Sequence, residues 1–479
     1  MFNRCKNFFG IQDNRLTLMV LIALIGMFLG GCFSIFVRQP MNGFDEAAHY
    51  GRSIQVAHGE FMVLEDDDWS QIGGNLSQSQ YEFIERARTN NTQGGEYPAV
   101  QFNWLKNYTD LKYTTETIFY TNTNAIPYTP FVYLPYTVTF WVTEMLKLPP
   151  GIEFFIMRLV GLIFFSIIWC LAVKVIPFGK LTLSLIGIGP SLLMGFSTIT
   201  ADGYTIAFSA LFFAVVLKIA YKMIYLKKKI ATIDLIEIAS VSLALVLGKM
   251  PLFVFVGLIL PLIIIGMKSK LMKNSQMISL LVLIVGCAMI TLFWLYIVRN
   301  VNTGAFFLRD VSTERQLNFI FSDITNFTKL LISTIANYNF FKFQLAYTNF
   351  GYYFSYIPTN ITFLYVATLI FSSFINDSEV VETIINNNTK YFSIFSFFKN
   401  LLSISFVFLV FIILYLQFST VGSEVIEGVQ ERYFIPIYII LLSFLPKINL
   451  LKGKLLYYVT GLAFTPLITY VFFALYQMK

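Results

Sequence analysis

The segment 43–49, Gly-Phe-Asp-Glu-Ala-Ala-His, contains three side chains that can accept or donate a proton, those of Asp45, Glu46 and His49. Arg52 follows one helical turn after His49. In a helix, His49 would lie beside Asp45 and Glu46. A carboxylate kept ionised by a neighbouring His or Arg is suited to act as a general base toward a hydroxyl group. A helix cap in a polar loop is the plainer alternative. Glu46-x-x-His49 is also a metal-ligand spacing, although the chain has only two histidines.

Three further charged residues stand where apolar segments begin. Asp202 precedes the apolar run 203–221 and is either a helix cap or a second acid. Lys249 lies between two apolar runs. It is either a lysine that extends its charged end to the membrane surface or a ligand of a phosphate group. Arg432 opens another run, where its charge opposes the helix dipole, so it is expected to bind an anion: a phosphate, or a neighbour such as Glu431. Gln430 and Arg158 are weaker candidates for the same phosphate.

The composition defines the class of protein that must hold these residues. The chain has 479 residues, of which 56% are hydrophobic and 13% charged, and its mean hydropathy is +0.67. Continuous apolar runs of about 18 or more residues predict transmembrane helices. We therefore expect an all-α, polytopic membrane protein in which residues 1–479 form a single integral domain. The net charge of +7 comes from lysine clusters beside apolar runs and does not indicate nucleic-acid binding.

The charge distribution predicts the topology. The first span is 16–37, and residues 38–152 form a loop whose proline-broken segment 126–147 lies on the membrane surface rather than crossing it. Every later basic cluster then falls on the cytoplasmic side, as the positive-inside bias requires. This gives about eleven spans, an N-terminus in the cytoplasm, and a later outer loop at 299–351 with a surface helix at 315–337. The ten remaining spans are predicted at 153–173, 181–199, 203–221, 233–248, 251–267, 276–298, 352–373, 400–418, 433–446 and 455–475.

The same topology places the reactive residues together on one side. Asp45 falls in the first outer loop, Asp202 in the second, and Lys249 and Arg432 in later outer turns. Charged residues in short connections between apolar runs are costly and usually functional. We therefore expect one outward-facing site. The four cysteines lie in the N-terminal tail or in apolar runs, so no disulfide framework is predicted.

A family resemblance runs through these motifs. Phe44-Asp45-Glu46-x-x-His49 followed by Gly59 resembles the Pro-Asp-Glu-x-x-His…Gly signature of domain-of-unknown-function family 2142, a set of bacterial multi-pass proteins. Tyr128-x-Pro130, Arg158, Gly248-Lys249-x-Pro251 and the run 428–436 follow in the expected order. Phe44 stands where the family usually has Pro. Glu431 stands where it usually has Gly, and this places an acid beside the proposed phosphate arginine.

The family is similar in layout to the GT-C glycosyltransferases. This resemblance implies an enzyme of the bacterial inner membrane whose outward-facing site moves a sugar from a polyprenyl-phosphate donor to a glycan or lipid-linked oligosaccharide, with inversion. Asp45 would be the base, assisted by Glu46, His49 and Asp202, while Lys249, Arg432, Gln430 and Arg158 would bind the donor phosphate. O-antigen assembly is one setting for such a reaction. No cofactor is implied, and the residues give little support for a divalent metal. A flippase of lipid-linked sugars and an O-antigen polymerase are the alternatives.

Overall fold

The computed structural model describes residues 2–11, 13–65, 68–92, 104–301, 310–338, 357–375, 390–443 and 454–477. The chain is mostly helical, as the composition predicts. Within those residues, seven helical segments are long and apolar enough to cross a membrane. They are Asn14–Val37, Pro150–Val175, Ala201–Ile224, Met250–Ser269, Asn274–Ile297, Lys390–Gln417 and Leu456–Tyr476.

The predicted total of eleven spans is not confirmed. The segment expected at 181–199 is divided into Lys180–Gly187 and Pro190–Phe196, because Pro190 has no backbone N–H to continue the first helix. Three other predicted spans contain short helices, of 15, 15 and 9 described residues: Thr232–Val246, Thr359–Ser373 and Ile435–Ser443. A 15-residue helix is about 22 Å long, whereas the hydrocarbon core is about 30 Å thick.

Two of the seven candidate spans are also interrupted. Met250–Ser269 consists of a 3₁₀ turn at Met250–Leu252 and the helices Phe253–Val256 and Ile259–Ser269. The last candidate comprises the helices Lys454–Ala463 and Thr465–Gln477. A short N-terminal helix, Phe2–Phe9, precedes the first span.

The all-α prediction is wrong for the first loop, which contains a three-stranded antiparallel sheet in the order β1-β2-β3. Its strands are Val63–Glu65 (β1), Asp68–Ser77 (β2) and Thr117–Thr121 (β3). Gly73 pairs with Thr121 and Ser77 with Thr117. Burial does not alternate along β3: Tyr120 is buried, whereas Ile118, two residues earlier on the same face, is exposed. Because the strands are short, lack regular alternation and lie in a mostly polar loop, they are a weak signal in the sequence.

Helix Glu46–Ala57 is fixed to this sheet by a side-chain amide. Gln55 Nε2 donates to the carbonyl oxygens of Gly74, at 3.1 Å, and Tyr120, at 3.0 Å, so one side chain joins the helix to two strands. The described part of the first loop also contains helix Gln78–Thr92 and a 3₁₀ turn at Trp104–Tyr108. Helix Glu46–Ala57, which directly follows Asp45, therefore packs against folded structure rather than lying in a flexible loop.

The segment predicted to lie on the membrane surface forms a 3₁₀ turn, Pro130–Tyr133, and a helix, Leu134–Met145. The helix has 12 residues and is about 18 Å long, too short to cross a bilayer. Its exposed side chains form an apolar stripe with helical spacing: Phe131, Leu134, Val138, Trp141 and Met145. Such a stripe suits a helix that lies in the membrane interface.

The surface helix predicted at 315–337 is two helices, Thr313–Ser322 and Ile324–Asn337. The break falls at Asp323, whose side chain accepts a hydrogen bond from Asn326 N at 2.9 Å and so caps the second helix. Both helices are amphipathic and pack beside Lys390–Gln417 near its C-terminal end, where Thr313 Oγ1 donates to Leu416 O at 3.3 Å. Residues 302–309 and 339–351 of the predicted outer loop lie outside the described residues, as do the first five residues of the predicted span 352–373.

A fully buried ion pair joins the first loop to the helices. Arg158, on helix Pro150–Val175, donates from Nη2 to Glu46 Oε2 at 2.6 Å and from Nε to Glu46 Oε1 at 2.8 Å. Glu46 also accepts from the backbone N–H groups of Gly43 at 3.0 Å and Ile199 at 3.1 Å. Burial alone would raise the pKa of Glu46, but the charges of Arg158 and Arg38 and these hydrogen bonds outweigh it and hold the pKa below its usual value.

We expect Glu46→Gln to lower the free energy of unfolding by about 3–5 kcal/mol, because Arg158 would then keep a buried charge without a matching anion. Urea denaturation in detergent micelles measures this. Glu82→Gln is the matched control, since it breaks a surface pair with Arg86 worth about 0–1 kcal/mol. Equal effects of the two substitutions would show that the Glu46–Arg158 pair has no special role in stability.

Candidate active site

Four charged residues from distant parts of the chain meet where helices begin. Asp45 immediately precedes helix Glu46–Ala57, and Asp202 lies in the first turn of Ala201–Ile224. Lys249 precedes the Met250–Leu252 turn, and Arg432 lies in the 3₁₀ turn Glu431–Phe434. The positive ends of the two long helices favour the carboxylates, which in turn attract the two cations.

These residues form a continuous ion-pair network. Arg432 Nη2 lies 3.1 Å from Asp45 Oδ2, and its Nε lies 3.3 Å from Asp202 Oδ2. Lys249 Nζ lies 2.7 Å from Asp202 Oδ1. One guanidinium therefore joins two carboxylates, and the network contains two positive and two negative charges.

Local backbone geometry fixes the position of Asp45. Its φ of 55° is left-handed, a conformation that Asp and Asn tolerate better than most residues. Gly43 precedes it, and a Cβ there would lie 2.0 Å from Thr198 Cγ2. The turn that contains Thr198 therefore packs directly against the backbone that carries Asp45, which explains why the chain needs glycine at position 43.

Neutral and aromatic side chains hold the charged groups in place. Asn124 Nδ2 donates to Asp45 Oδ1 at 3.3 Å. Lys249 Nζ lies 5.4 Å from the ring centre of Tyr128 and 4.8 Å from that of Tyr433. The guanidinium of Arg432 lies 4.9 Å from the ring centre of Phe44. Such cation–π contacts favour a cation that is partly removed from water.

The network forms one end of a cavity, which we call the cleft. The cleft has a volume of about 1370 Å³, including the part open to solvent. Its polar end is lined by Asp45, Asn124, Asp202, Lys249, Gln430 and Arg432. Its apolar end is lined mainly by one face of helix Lys390–Gln417, with Phe406, Val410, Ile413 and Leu414. The cleft is therefore amphipathic, with charge at one end and hydrocarbon at the other.

His49 lies behind the cleft rather than among its lining residues. Its Nδ1 is 2.7 Å from Tyr133 Oη, and its ring centre is 5.3 Å from that of Tyr128. Burial lowers the pKa of His49 to about 4, although the nearby Asp45 and Asp202 charges act in the opposite direction. The imidazole is therefore expected to be neutral at physiological pH, and it packs against the ring of Tyr128.

The structure brings together five of the eight residues predicted for the site: Asp45, Asp202, Lys249, Gln430 and Arg432 all line the cleft. Glu46 and Arg158 do not line it, since they bind each other in the buried pair described above. The metal-ligand spacing of Glu46 and His49 has no further support here, because the described residues contain no group of three or more His, Cys, Asp or Glu able to hold a metal ion.

Sequence reasoning missed Asn124, Tyr128 and Tyr433 as parts of the site. Tyr128 and Tyr433 lie within motifs recognised in the sequence, but nothing there indicated that both rings flank Lys249. Asn124 is one of many asparagines in a polar loop. The apolar lining from Lys390–Gln417 could not be told from an ordinary membrane-facing surface.

Comparison with known families identifies the family to which the chain belongs. The family model described as "Predicted membrane protein (DUF2142)" matches residues 27–441, which include every residue of the network. The chain belongs to the DUF2142 family. Neither the curated proteins nor the solved structures contain a significant match to it. Membership of DUF2142 shows that the chain is a membrane protein and specifies no reaction.

We expect His49 to stay uncharged between pH 6 and pH 8, because its pKa of about 4 lies well below that range. NMR of protein labelled with ¹³C-histidine measures this directly. The chain has two histidines, so His58→Gln leaves a single signal. That signal should remain constant over the range, whereas a titration midpoint near pH 6.5 would show that the site is wetter than its packing indicates.

Proposed function

We propose that this protein is a membrane glycosyltransferase that moves a sugar from a polyprenyl-phosphate carrier to a hydroxyl group of a cell-surface glycan. The single observation that carries the proposal is the pairing of Lys249 and Arg432 with two carboxylates at the polar end of an amphipathic cleft. A lipid phosphate, which has an ionic headgroup on a long apolar chain, matches a cleft with one charged end and one apolar end. The likeness to GT-C enzymes noted from the sequence motifs supports the same reading, as analogy alone.

The two cations suit a phosphate. Arg432 presents a planar guanidinium, which binds phosphate oxygens through two parallel hydrogen bonds, and Lys249 adds a point charge. Both are only partly exposed, with side-chain exposures of 10% for Arg432 and 15% for Lys249. Charges in so sheltered a site act on a ligand more strongly than charges in open water.

The apolar end suits the lipid part of the donor. Phe406, Val410, Ile413 and Gln417 follow one another at helical spacing along Lys390–Gln417 and all line the cleft. Eleven residues of helix extend about 16 Å, or about half the thickness of the hydrocarbon core. A groove of that length accommodates the first few isoprene units of a carrier lipid beside its phosphate.

In the proposed reaction Asp45 is the base. It takes the proton of the acceptor hydroxyl while the acceptor oxygen bonds to the anomeric carbon from the face opposite the phosphate. The bond from that carbon to the phosphate oxygen breaks, and its electron pair leaves with the lipid phosphate, which Arg432 and Lys249 stabilise. Asp202 orients both cations. A single displacement of this kind inverts the anomeric configuration.

We place the protein in the bacterial inner membrane with the cleft facing outward. The support is the distribution of lysines, which the predicted topology assigns to the opposite side. Polyprenyl-phosphate sugars and growing surface glycans meet on the outward side, so the proposed orientation agrees with the proposed substrates. O-antigen or another surface polysaccharide is the acceptor class that we propose.

Asp45→Asn should reduce sugar transfer by about 100-fold or more, because an amide cannot accept the proton. Asn keeps the left-handed backbone of Asp45 accessible and so preserves the fold. Membranes containing each variant would be supplied with polyprenyl-phosphate sugars and acceptor glycans, and both the glycan product and free polyprenyl phosphate would be measured. Asp110→Asn, at an exposed carboxylate that pairs with Arg86, is the control and should retain full activity.

Three results would change the interpretation. Transfer by the wild type and unchanged transfer by Asp45→Asn would exclude Asp45 as the base and point to Asp202. No transfer with any donor, together with movement of labelled lipid between leaflets, would favour a flippase of lipid-linked sugars. Joining of whole oligosaccharide units, rather than addition of single sugars, would favour a polymerase.

Val410→Trp should raise the KM for a long-chain donor by about tenfold, because filling the groove with a larger side chain costs about 1–3 kcal/mol. Val410 is buried against the cleft. Ile404→Trp is the control on the same helix, since Ile404 is 57% exposed and does not line the cleft. Kinetics with long-chain and short-chain donors test this, and the effect should be smaller with the short chain. Equal effects of the two substitutions would argue against a lipid groove at this position.

A further inference from the structure

Arg432 has two carboxylate partners, and they are not equivalent. Asp202 also binds Lys249, at 2.7 Å, and its side chain is 14% exposed. Asp45 also accepts a hydrogen bond from the neutral amide of Asn124, at 3.3 Å, and its side chain is 32% exposed. The pair between Arg432 and Asp45 is therefore the more accessible one, and Asp202 keeps a cation when Arg432 moves.

A nearby arginine keeps a carboxylate base ionised, but a direct hydrogen bond from that arginine occupies an oxygen that has to accept the proton. The oxygen Oδ2 of Asp45 faces Arg432 Nη2 at 3.1 Å, so in this arrangement the carboxylate is bound to a cation rather than presented to a hydroxyl. The arginine that we assign to the phosphate is thus the one that holds the base. Both functions cannot be served by the same N–H group at the same moment.

We propose that Arg432 is exchanged between Asp45 and the phosphate of the lipid donor, so that donor binding releases Asp45 to act as base. The inference rests on the transferase function proposed above. A phosphate offers Arg432 two oxygens in the geometry of its fork and carries its charge on a small group, so it competes well with a single carboxylate oxygen. Asn124 and the backbone at Asp45 hold the released carboxylate in position.

The charge count gives this exchange a direction. Without donor, the network holds two cations and two carboxylates. Entry of an anionic phosphate adds negative charge to a sheltered site and draws Arg432 away from Asp45. When Asp45 then takes the proton of the acceptor hydroxyl, the negative charge that it loses passes through the acceptor oxygen to the leaving lipid phosphate, so the total charge of the site does not change. Donor binding thus prepares the step in which Asp45 accepts a proton. Substrates should therefore add in order, with the donor first.

A double-mutant cycle on phosphate binding tests the exchange. The probe is farnesyl phosphate, a short prenyl phosphate, and its affinity for the purified protein in detergent is measured by isothermal titration calorimetry. The proteins are the wild type, Asp45→Asn, Arg432→Gln and the double variant, with Asp110→Asn as a remote charge control. Melting temperatures of all five confirm that each is folded, and Arg432→Lys replaces Arg432→Gln should the latter unfold.

Asp45→Asn should bind farnesyl phosphate about tenfold more tightly than the wild type, because one charge-assisted hydrogen bond no longer competes for Arg432. Arg432→Gln should bind more weakly, and in its background Asp45→Asn should bring little further gain. The Asp110→Asn control should match the wild type. This pattern requires Asp45 and the phosphate to share Arg432.

Other patterns would overturn the exchange. An equal gain from Asp45→Asn in the Arg432→Gln background would show that Asp45 acts only through its negative charge. Unchanged or weaker binding by Asp45→Asn would show that it does not compete at all, and so would absence of binding by every variant. Sugar transfer is scored separately, so transfer by the wild type together with a failed cycle would leave the transferase standing and remove only the exchange.

Discussion

The contact between one guanidinium and two carboxylates is the interaction on which the site depends. Arg432 lies within hydrogen-bonding reach of Asp45 and within ion-pair distance of Asp202, and Lys249 completes the network. Each of these groups would be costly to shelter alone, because desolvation disfavours an unpaired charge. Together they are stable at the polar end of the cleft. The cost of separating them explains why four distant segments of the chain converge there.

The surrounding architecture positions Asp45 within this network. The small sheet supports helix Glu46–Ala57, which directly follows Asp45, through the amide of Gln55. The buried pair of Glu46 and Arg158 ties the same helix to the Pro150–Val175 helix. A glycine at position 43 lets the Thr198 turn approach. Glu46 thus has a structural environment quite unlike that of its neighbour Asp45, although the two are adjacent in the chain.

The cleft combines a charged end and an apolar end in one cavity, and the proposed function rests on this combination. A charged network alone would fit many anions, and an apolar groove alone would fit many lipids. Their continuity is the reason for proposing a ligand with an anionic headgroup on a long apolar chain. Membership of DUF2142 places the chain in a membrane, where such ligands occur. The proposed sugar transfer rests on the arrangement of Asp45, Arg432 and Lys249 in the cleft and on the analogy with GT-C enzymes.

The sequence by itself determined the class of the protein and the region of its reactive residues. Long apolar runs require helices in a membrane, because backbone groups in hydrocarbon must be bonded within the segment. Asp45, Asp202, Lys249 and Arg432 stood out because charge is unusual between such runs. Spans were less well predicted, since hydropathy does not register a break such as the one at Gly189-Pro190. The sheet was missed because its strands are short and lie in a polar loop.

Only the tertiary structure decided which neighbours act together. Glu46, His49 and Asp45 are close in sequence, yet Glu46 faces Arg158, His49 faces Tyr133, and Asp45 faces Arg432. Asp45 and Arg432 lie 387 positions apart in the chain, and no local pattern in the sequence signals their contact. Pairing of that kind is set by the packing of helices on one another and by the requirement that buried charges find partners. Periodicity and composition describe each segment singly and cannot specify those pairs.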